Sequence, residues 1–550
     1  MTPQDQIRAD IKSALESAGY PADDPKHLNL EKPKQDRFGD ISSPVAMVLA
    51  KKTGEPPRKI AENIMRRLPQ GSKVIERVEI AGPGFLNFHL TRESLHFMVA
   101  EILKLGPKFG HSDNGGGEKV QLEFVSANPT GPLNVVSARA AAVGDVLANL
   151  FKACGFSVET EFYVNDAGRQ VMLLGRSLSA RYMTEIGRSE PLPEEGYHGE
   201  YLRQLALKLI SEQKQNYAAL SQEQRVEQFS RIALKHMIER QKKSLEQYGL
   251  VFDRWFRESA LRERGAHQRV IDRLQEKGFL YQKDGALWFR STEFGDDQDR
   301  VLITREGEPT YFAIDIAYHQ DKYERGFHRL YDFWGPDHHG YIPRMRAALL
   351  ALGHPGESFH VSIIQQVNLL RGGELVKMSK RAGEIVEMDE LIEEVGVDAA
   401  RYFFIDRRLS QPLDFDIDLA IKQSDENPVY YVQYAHARIC NILEFAREKG
   451  VQPPEQVPMA ALVEAHELNL IKKLIEFPEV IAKSAQFLEP HRITAYLHEV
   501  ATLLHRFYHD HRVVTEDVEL SHARILLVRA TQQVLANGLS ILNISAPRNM

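Results

Sequence analysis

The chain is short of the features that would place it outside a reducing, aqueous compartment. It has 550 residues and only two cysteines, Cys154 and Cys440, far apart in sequence. That excludes a disulfide framework and a Cys-type zinc site, and both residues read as small apolar core positions. No apolar run approaches the roughly 18 residues a membrane-spanning helix needs. Residues 1–8 have no apolar stretch of the signal-peptide kind, so a cytoplasmic protein independent of membranes is expected. No excess of basic charge is present either. Lys and Arg total 69 against 76 Asp and Glu, a net charge of −7. This argues against indiscriminate coating of nucleic acid and leaves room for local basic patches that read a folded RNA. Internal repeats and low-complexity segments are also missing.

What is present divides into several domains, since the length exceeds what one core supports. Residues 1–112 read as an appended α+β domain. Ile7, Ile11, Ala14 and Leu15 recur at helical spacing up to Gly19, residues 58–68 form a second helix, and Leu86, Phe88 and Leu90 alternate as a strand. Residues 110–117, rich in Gly, Ser, Asp and Asn, read as a linker. Val120, Leu122 and Phe124 then alternate as a strand, a Pro/Gly loop spans 128–132, and apolar residues from Ala138 to Phe151 mark a helix that Gly155 ends. Phe156, Val158, Thr160 and Phe162 begin the next strand. Strand, loop, helix and strand make one βαβ unit of a doubly wound parallel sheet, and such sheets bind ligands at the carboxyl ends of their strands.

A Rossmann-type catalytic domain is therefore expected over 118–365, interrupted by a charged helical insertion at about 165–280. Hairpin turns are expected at Asp284-Gly285 and at 305–308, and strands at 330–334 and 359–364. Residues 366–425 carry a loop and short helices. From 426 to 550 the pattern is all helix, with candidates at 427–449, 463–486, 492–510 and 520–542, which reads as a separate recognition bundle.

Lys377-Met378-Ser379-Lys380 lies between Gly372-Gly373 and Gly383. Two lysines on such a loop suit gripping a polyphosphate while charge develops on it. The segment 126–133, Ser-Ala-Asn-Pro-Thr-Gly-Pro-Leu, stands where a nucleotide lies in a doubly wound sheet. The two stretches must meet across one cleft, and together they point to attack on the α-phosphate of ATP.

These residues resemble the bacterial arginyl-tRNA synthetases, of class I. The likeness runs through 126–133, Tyr163-Val164-Asn165-Asp166-Ala167-Gly168-Arg169-Gln170, Phe294-Gly295-Asp296-Asp297, 334–341, 377–383, 427–438 and the closing Ser545-Ala546-Pro547. It implies activation of L-arginine with ATP and Mg²⁺ to arginyl-adenylate, then transfer to tRNA(Arg), by a monomer with no dedicated protein metal site. It implies ATP contacts from Ala127, Asn128, Pro129, Thr130, Gly131, Pro132, Leu133, Val135, Val136, Met378 and Ser379. Asn134, Ser137, Lys377 and Lys380 would act on the phosphates. Arginine contacts are implied for Glu123, Asn128, Tyr311, Asp315 and Asp337, because a guanidinium calls for planar, bidentate carboxylate recognition. The N-terminal domain would touch the tRNA elbow and the helical tail its anticodon, with Tyr434 and Arg438 as RNA contacts by stacking and phosphate pairing.

The chain departs from the family at one point. Where the family has His-x-Gly-His, residues 134–137 are Asn-Val-Val-Ser. Asn134 and Ser137 keep neutral donors, while the Val136 side chain enters space a purine needs. The alternative to an active ligase is therefore an impaired paralogue that binds arginine or tRNA without efficient adenylation. A nucleotidyltransferase with a non-RNA acceptor is a third reading, which the helical tail opposes. Blander roles compete at single positions. Asp315 also reads as a helix N-cap, and Glu123 as a strand residue facing solvent. His338 and His339 read better as part of a loop near the nucleotide than as metal ligands. Asp296, Asp297 and Asp299 read as a solvated acidic patch.

Overall fold

The computed structural model describes residues 2–33, 35–212, 216–376, 386–453 and 459–550. Its centre is a five-stranded parallel sheet of β1 (Lys119–Glu123), β2 (Ser157–Val164), β3 (Arg254–Arg257), β4 (Arg329–Trp334) and β5 (Phe359–Ile363), in the order β5-β4-β1-β2-β3. Four of the five β1 residues are buried, as expected of a strand covered on both faces. The order reverses between β1 and β4, so the crevice at their carboxyl ends is where such a sheet takes a ligand. Helix α1 (Val135–Ala153) makes the crossover from β1 to β2. It rides directly on the strand: a Cβ at Gly144 would lie 2.2 Å from the Phe124 ring, so only glycine allows the approach.

Helices Arg169–Glu185, Glu200–Glu212 and α2 (Gln222–Gln247) form the insertion. It stops well before 280, because residues 254–257 add the edge strand β3 to the sheet. Four residues with arginine at both ends give no readable alternation. Beyond β3 the chain forms a three-stranded antiparallel sheet, with Asp284 and Gly285 both at positive φ in its tight turn, as the Asp-Gly pair predicts. Helix α3 (Tyr311–Glu324) then runs under the crevice, buried from Phe312 through Lys322. The stretch 366–425 contains a small sheet of Val367–Arg371, Glu374–Leu375 and Leu413–Asp416 besides its helices.

The N-terminal helix Pro3–Ser17 starts at a Thr2/Asp5 capping box and packs on the helix Pro57–Met65, which lies against a sheet of Ile41–Ser43, Ile75–Ala81 and Phe85–Leu90. The 110–117 stretch is a packed connector. Ser112, Gly115 and Gly117 donate to the carbonyls of Ala153, Cys154 and Gly155, and a Cβ at Gly115 would strike Phe156 at 2.6 Å. The C-terminal bundle holds α4 (Pro428–Glu448), α5 (His491–Asp510) and α6 (Val518–Ile541). The helix expected over 463–486 is two, Ala465–Leu474 and Phe477–Gln486. Pro478 has no N–H to continue the first and is placed instead in the opening turn of the second. Among the described residues no helix is long and apolar enough to cross a membrane.

Candidate active site

A cavity of about 170 Å³ opens at the carboxyl ends of β1 and β4. Glu123, Asn128, Tyr311 and Asp315, expected from sequence to meet, all line it, joined by Asp332 and Tyr341. Neither bland reading survives. The cap of α3 is Thr310, whose hydroxyl accepts the Ala313 N–H at 3.4 Å, and Asp315 sits a full turn inside the helix. Glu123 is buried at 8% exposure rather than facing solvent. Asp337 does not join them. The short 3₁₀ turn Pro336–Tyr341 has a three-residue period, which sends Gly335, His338 and Tyr341 to the cavity and Asp337 to solvent. A larger cavity of about 490 Å³ lies between the N-terminal domain and the bundle, lined by charges of both signs such as Lys472, Lys473, Glu476 and Glu479.

The electrostatics single out one carboxylate. Glu123 accepts Lys322 Nζ at 2.6 Å, and Asp332 accepts Lys322 at 3.0 Å and His319 Nε2 at 2.8 Å. Glu161 is paired with Arg325 at 2.7 Å, and Glu258 with Arg262 at 2.6 Å. Asp315 has no salt-bridge partner among the described residues; it accepts the Tyr341 hydroxyl at 2.7 Å, with the Tyr311 hydroxyl beside it. Burial pushes its carboxyl up to about 7, against the opposing pull of His319 and the Tyr341 hydroxyl. Asp332 moves the other way. Burial alone would raise it, but Lys322 and His319 outweigh burial and hold it below the usual carboxylate range. A buried carboxylate with no cation beside it is an incomplete pair, and a guanidinium is the group that completes it with two parallel bonds.

The nucleotide side is built from the loop after β1. Gln241 on α2 donates to the carbonyls of Asn128 at 3.2 Å and Gly131 at 2.9 Å, and the Tyr201 hydroxyl to that of Thr130 at 2.6 Å. Asn134 is the N-cap of α1. Its Oδ1 accepts the Val136 and Ser137 N–H groups at 3.0 Å each, and the Ser137 hydroxyl at 3.3 Å. The Ser137 hydroxyl, expected to act on the phosphates, here donates within the cap. The Asn134 amide nitrogen takes no bond among the described residues. Val135 is buried, and Val136 leans its side chain on the hydrophobic core.

Lys377, Met378, Ser379 and Lys380 lie outside the described residues, but both flanks of their loop are placed. Val376 N donates to Leu369 O at 2.9 Å on the entering side. On the leaving side Glu387 pairs with Asn134 as an antiparallel bridge, and Met388 N donates to Leu133 O at 2.9 Å. Buried Arg139 adds a second tie, donating to the carbonyls of Gln365 at 2.9 Å and Gln411 at 3.1 Å at the edge of the small sheet. The chain that follows residue 385 thus lies against the mouth of the first βα turn.

Residues 98–410 match the family described as tRNA synthetases class I (R), catalytic domain, which is more than half of the chain. The chain belongs to the arginyl-tRNA synthetases. Residues 5–90 match the arginyl tRNA synthetase N terminal domain, and 432–550 the DALR anticodon binding domain. The arginine–tRNA ligase of Oceanobacillus iheyensis is 48% identical, over 95% of this chain and 94% of that one. That of Geobacillus kaustophilus is 47% identical, over 100% and 99%. The solved arginyl-tRNA synthetase of Thermus thermophilus has a TM-score of 0.78 over 100% of both chains at 22% identity, a likeness of fold. As an arginyl-tRNA synthetase of class I, the chain has its parallel sheet, appended N-terminal domain and helical C-terminal bundle in the expected order.

On α4 of this arginyl-tRNA synthetase, Tyr434 and Arg438 share a face, with the guanidinium 5.9 Å from the Tyr434 ring and 4.4 Å from that of Tyr508. His338 lines the cavity, while Asp296 corrects the expectation of a solvated patch. It is buried and bonded by Arg300 Nε at 2.8 Å and by the Ser291 hydroxyl at 3.0 Å. No group of three His, Cys, Asp or Glu that could hold a metal occurs among the described residues. Sequence reasoning missed Lys322, His319, Asp332 and Tyr341. A signal was available: Asp315, His319 and Lys322 stand at i, i+4 and i+7, on one face of the helix.

Proposed function

We propose that this chain is an active arginine–tRNA ligase whose guanidinium anchor is Asp315. The uncompensated, buried carboxylate at the carboxyl ends of β1 and β4 carries this reading. The guanidinium of L-arginine pairs with Asp315, flanked by the Tyr311 and Tyr341 hydroxyls, and Asn128 orients the amino-acid head. The arginine carboxylate attacks the α-phosphorus of ATP and pyrophosphate leaves, giving arginyl-adenylate. A hydroxyl of the terminal ribose of tRNA(Arg) then attacks the carbonyl carbon and AMP leaves. Asn134 offers its amide N–H to the phosphates. Lys377 and Lys380, with Mg²⁺ brought by ATP, neutralise the charge developing on them. Asn134, Lys377 and Lys380 thus stand in for the family's two histidines. Tyr434 and Arg438 meet the tRNA, and the protein works as a cytoplasmic monomer. No finding favours the impaired paralogue, and the near-full-length identity to ligases supports the active reading.

Arginine-dependent pyrophosphate exchange, measured with tRNA present, tests the proposal. Exchange well above that of a Lys377→Ala/Lys380→Ala double variant is expected. Equal rates for the two proteins would reject the active reading.

A further inference from the structure

Behind the cavity wall stands a charge that this chemistry leaves unused. Lys322 is wholly buried on α3, two turns beyond Asp315. Its ammonium bonds Glu123 on β1 and Asp332 on β4, and lies 4.5 Å from the centroid of the Tyr318 ring. The other oxygen of Glu123 accepts the Ser126 hydroxyl at 2.9 Å, and Ser126 Oγ accepts the Tyr163 N–H at 3.1 Å. Ser126 (φ 37) and the preceding Val125 (φ 68) are consecutive non-glycine residues in the left-handed region, one of them β-branched. Such backbone persists only where its surroundings over-determine it, and it collects at functional sites. Here the constraint traces back through Ser126 and Glu123 to a single ammonium.

We propose that Lys322 is a positioning residue for both substrates: it holds Glu123 and Asp332 in the wall so that Asp315 alone presents an unpaired carboxylate to the guanidinium, and through Glu123 and Ser126 it fixes the turn that aims the 128–133 loop at the nucleotide. The proposal rests on the function read above. Other titratable groups face the cluster from each packed element. They are Glu161 and Tyr163 from β2, Glu258 from the helix after β3, His319, Tyr311 and Tyr318 from α3, and Tyr341 from the 3₁₀ turn. Glu161 and Glu258 have their own arginines and Asp332 keeps His319, so Glu123 is the acid that losing Lys322 would strand.

Lys322→Met in the full chain removes the charge and keeps the apolar stem. The Glu123 carboxyl, which burial already raises, then loses its cation and the wall beside Asp315 loses a positive charge, so the acid limb of arginine kcat/KM is expected to move about one pH unit higher. The arginine KM is expected to rise by roughly 30-fold or more, the scale for truncating one partner of a buried charge pair. The ATP KM rises with it, because the Ser126 turn loses its anchor. Adding Glu123→Gln removes the stranded charge and keeps an oxygen for Ser126, and about tenfold of the loss should return. Lys322→Arg keeps the charge and should leave the acid limb in place. A lysine that served packing alone would lower the melting temperature in these variants with the acid limb and both KM values unmoved, and that result overturns the proposal. So does a double variant no better than Lys322→Met alone. If Lys322→Met does not fold, Ser126→Ala keeps the proposal testable. A several-fold rise in ATP KM with the acid limb in place supports it, and an unchanged ATP KM overturns it. Absence of arginine-dependent exchange in the unaltered chain would instead sink the functional reading itself.

Discussion

Replacing Asp315 by asparagine should make the protein more stable and blind to arginine in one step. Burial is the main reason its carboxyl sits at about 7 rather than 3.8, with His319 and the Tyr341 hydroxyl pulling it down. That displacement corresponds to about 4 kcal/mol, at roughly 1.4 kcal/mol per pH unit. The sign follows from the protons bound. Between about pH 4 and pH 7 the folded state keeps a proton that the unfolded chain has lost, so stability falls as pH rises through that window and is level above it. Asparagine never ionises and avoids this loss, while imperfect pairing of its amide returns about 1–3 kcal/mol of it. A net gain of about 1–3 kcal/mol at pH 8 is therefore expected in thermal unfolding, together with arginine affinity weakened roughly 30-fold or more.

The unaltered chain should show the same coupling from the other side. With the carboxyl at about 7, about nine tenths of Asp315 is ionised at pH 8 and about one tenth at pH 6, so the apparent Kd for arginine weakens about tenfold between them. Binding at pH 6 should release close to one proton. Titration calorimetry in two buffers of different ionisation enthalpy reads both quantities. A Kd that is level from pH 8 to pH 6, or an Asp315→Asn chain that binds arginine as the unaltered one does, would refute the reasoning.

Tyr341→Phe removes a hydroxyl bonded to Asp315 and a group that lowers its titration. The acid limb of arginine kcat/KM should move up, and affinity at pH 7 should fall by roughly tenfold, a cost on the scale of one hydrogen bond to a charged group. Asn134→Asp separates capping from catalysis. The carboxylate still caps α1 and the melting temperature holds, while Asn134→Ala costs about 1 kcal/mol. The aspartate has no N–H to offer and sets a negative charge at the phosphates, so pyrophosphate exchange should drop roughly 100-fold. Gly144→Ala puts a methyl 2.2 Å from the Phe124 ring and should cost about 1–3 kcal/mol in thermal unfolding.

The strand, loop, helix and strand from 119 to 164 were legible because alternation, Pro/Gly punctuation and helical spacing all agree there. The meeting of Glu123, Asn128, Tyr311 and Asp315 came from the resemblance, and the fold brings them to one cavity. What stayed hidden had physical causes. Strand β3 is too short and too flanked by arginine to alternate. Lys322 sits in a helix, where a lysine ordinarily reads as solvated surface, and only the pairing of β1 with β4 supplies the two carboxylates that let it be buried. Asp296 reads as part of an acidic cluster until the turn brings Arg300 back onto it. The positive φ of Val125 has no signature in a residue type that avoids that conformation.

The opening helix is more than a handle. Gln4 donates to the Ile475 carbonyl at 3.2 Å, Arg8 pairs with Glu479, and Lys483 reaches back to the Leu30 carbonyl at 2.9 Å. One apolar core runs without a break from Ile7 through the central sheet to Leu539. Excising the first ninety residues would therefore strip the lid from greasy surface on the bundle rather than trim an appendage. The shortened product should clump or be degraded before any loss of tRNA affinity could be measured.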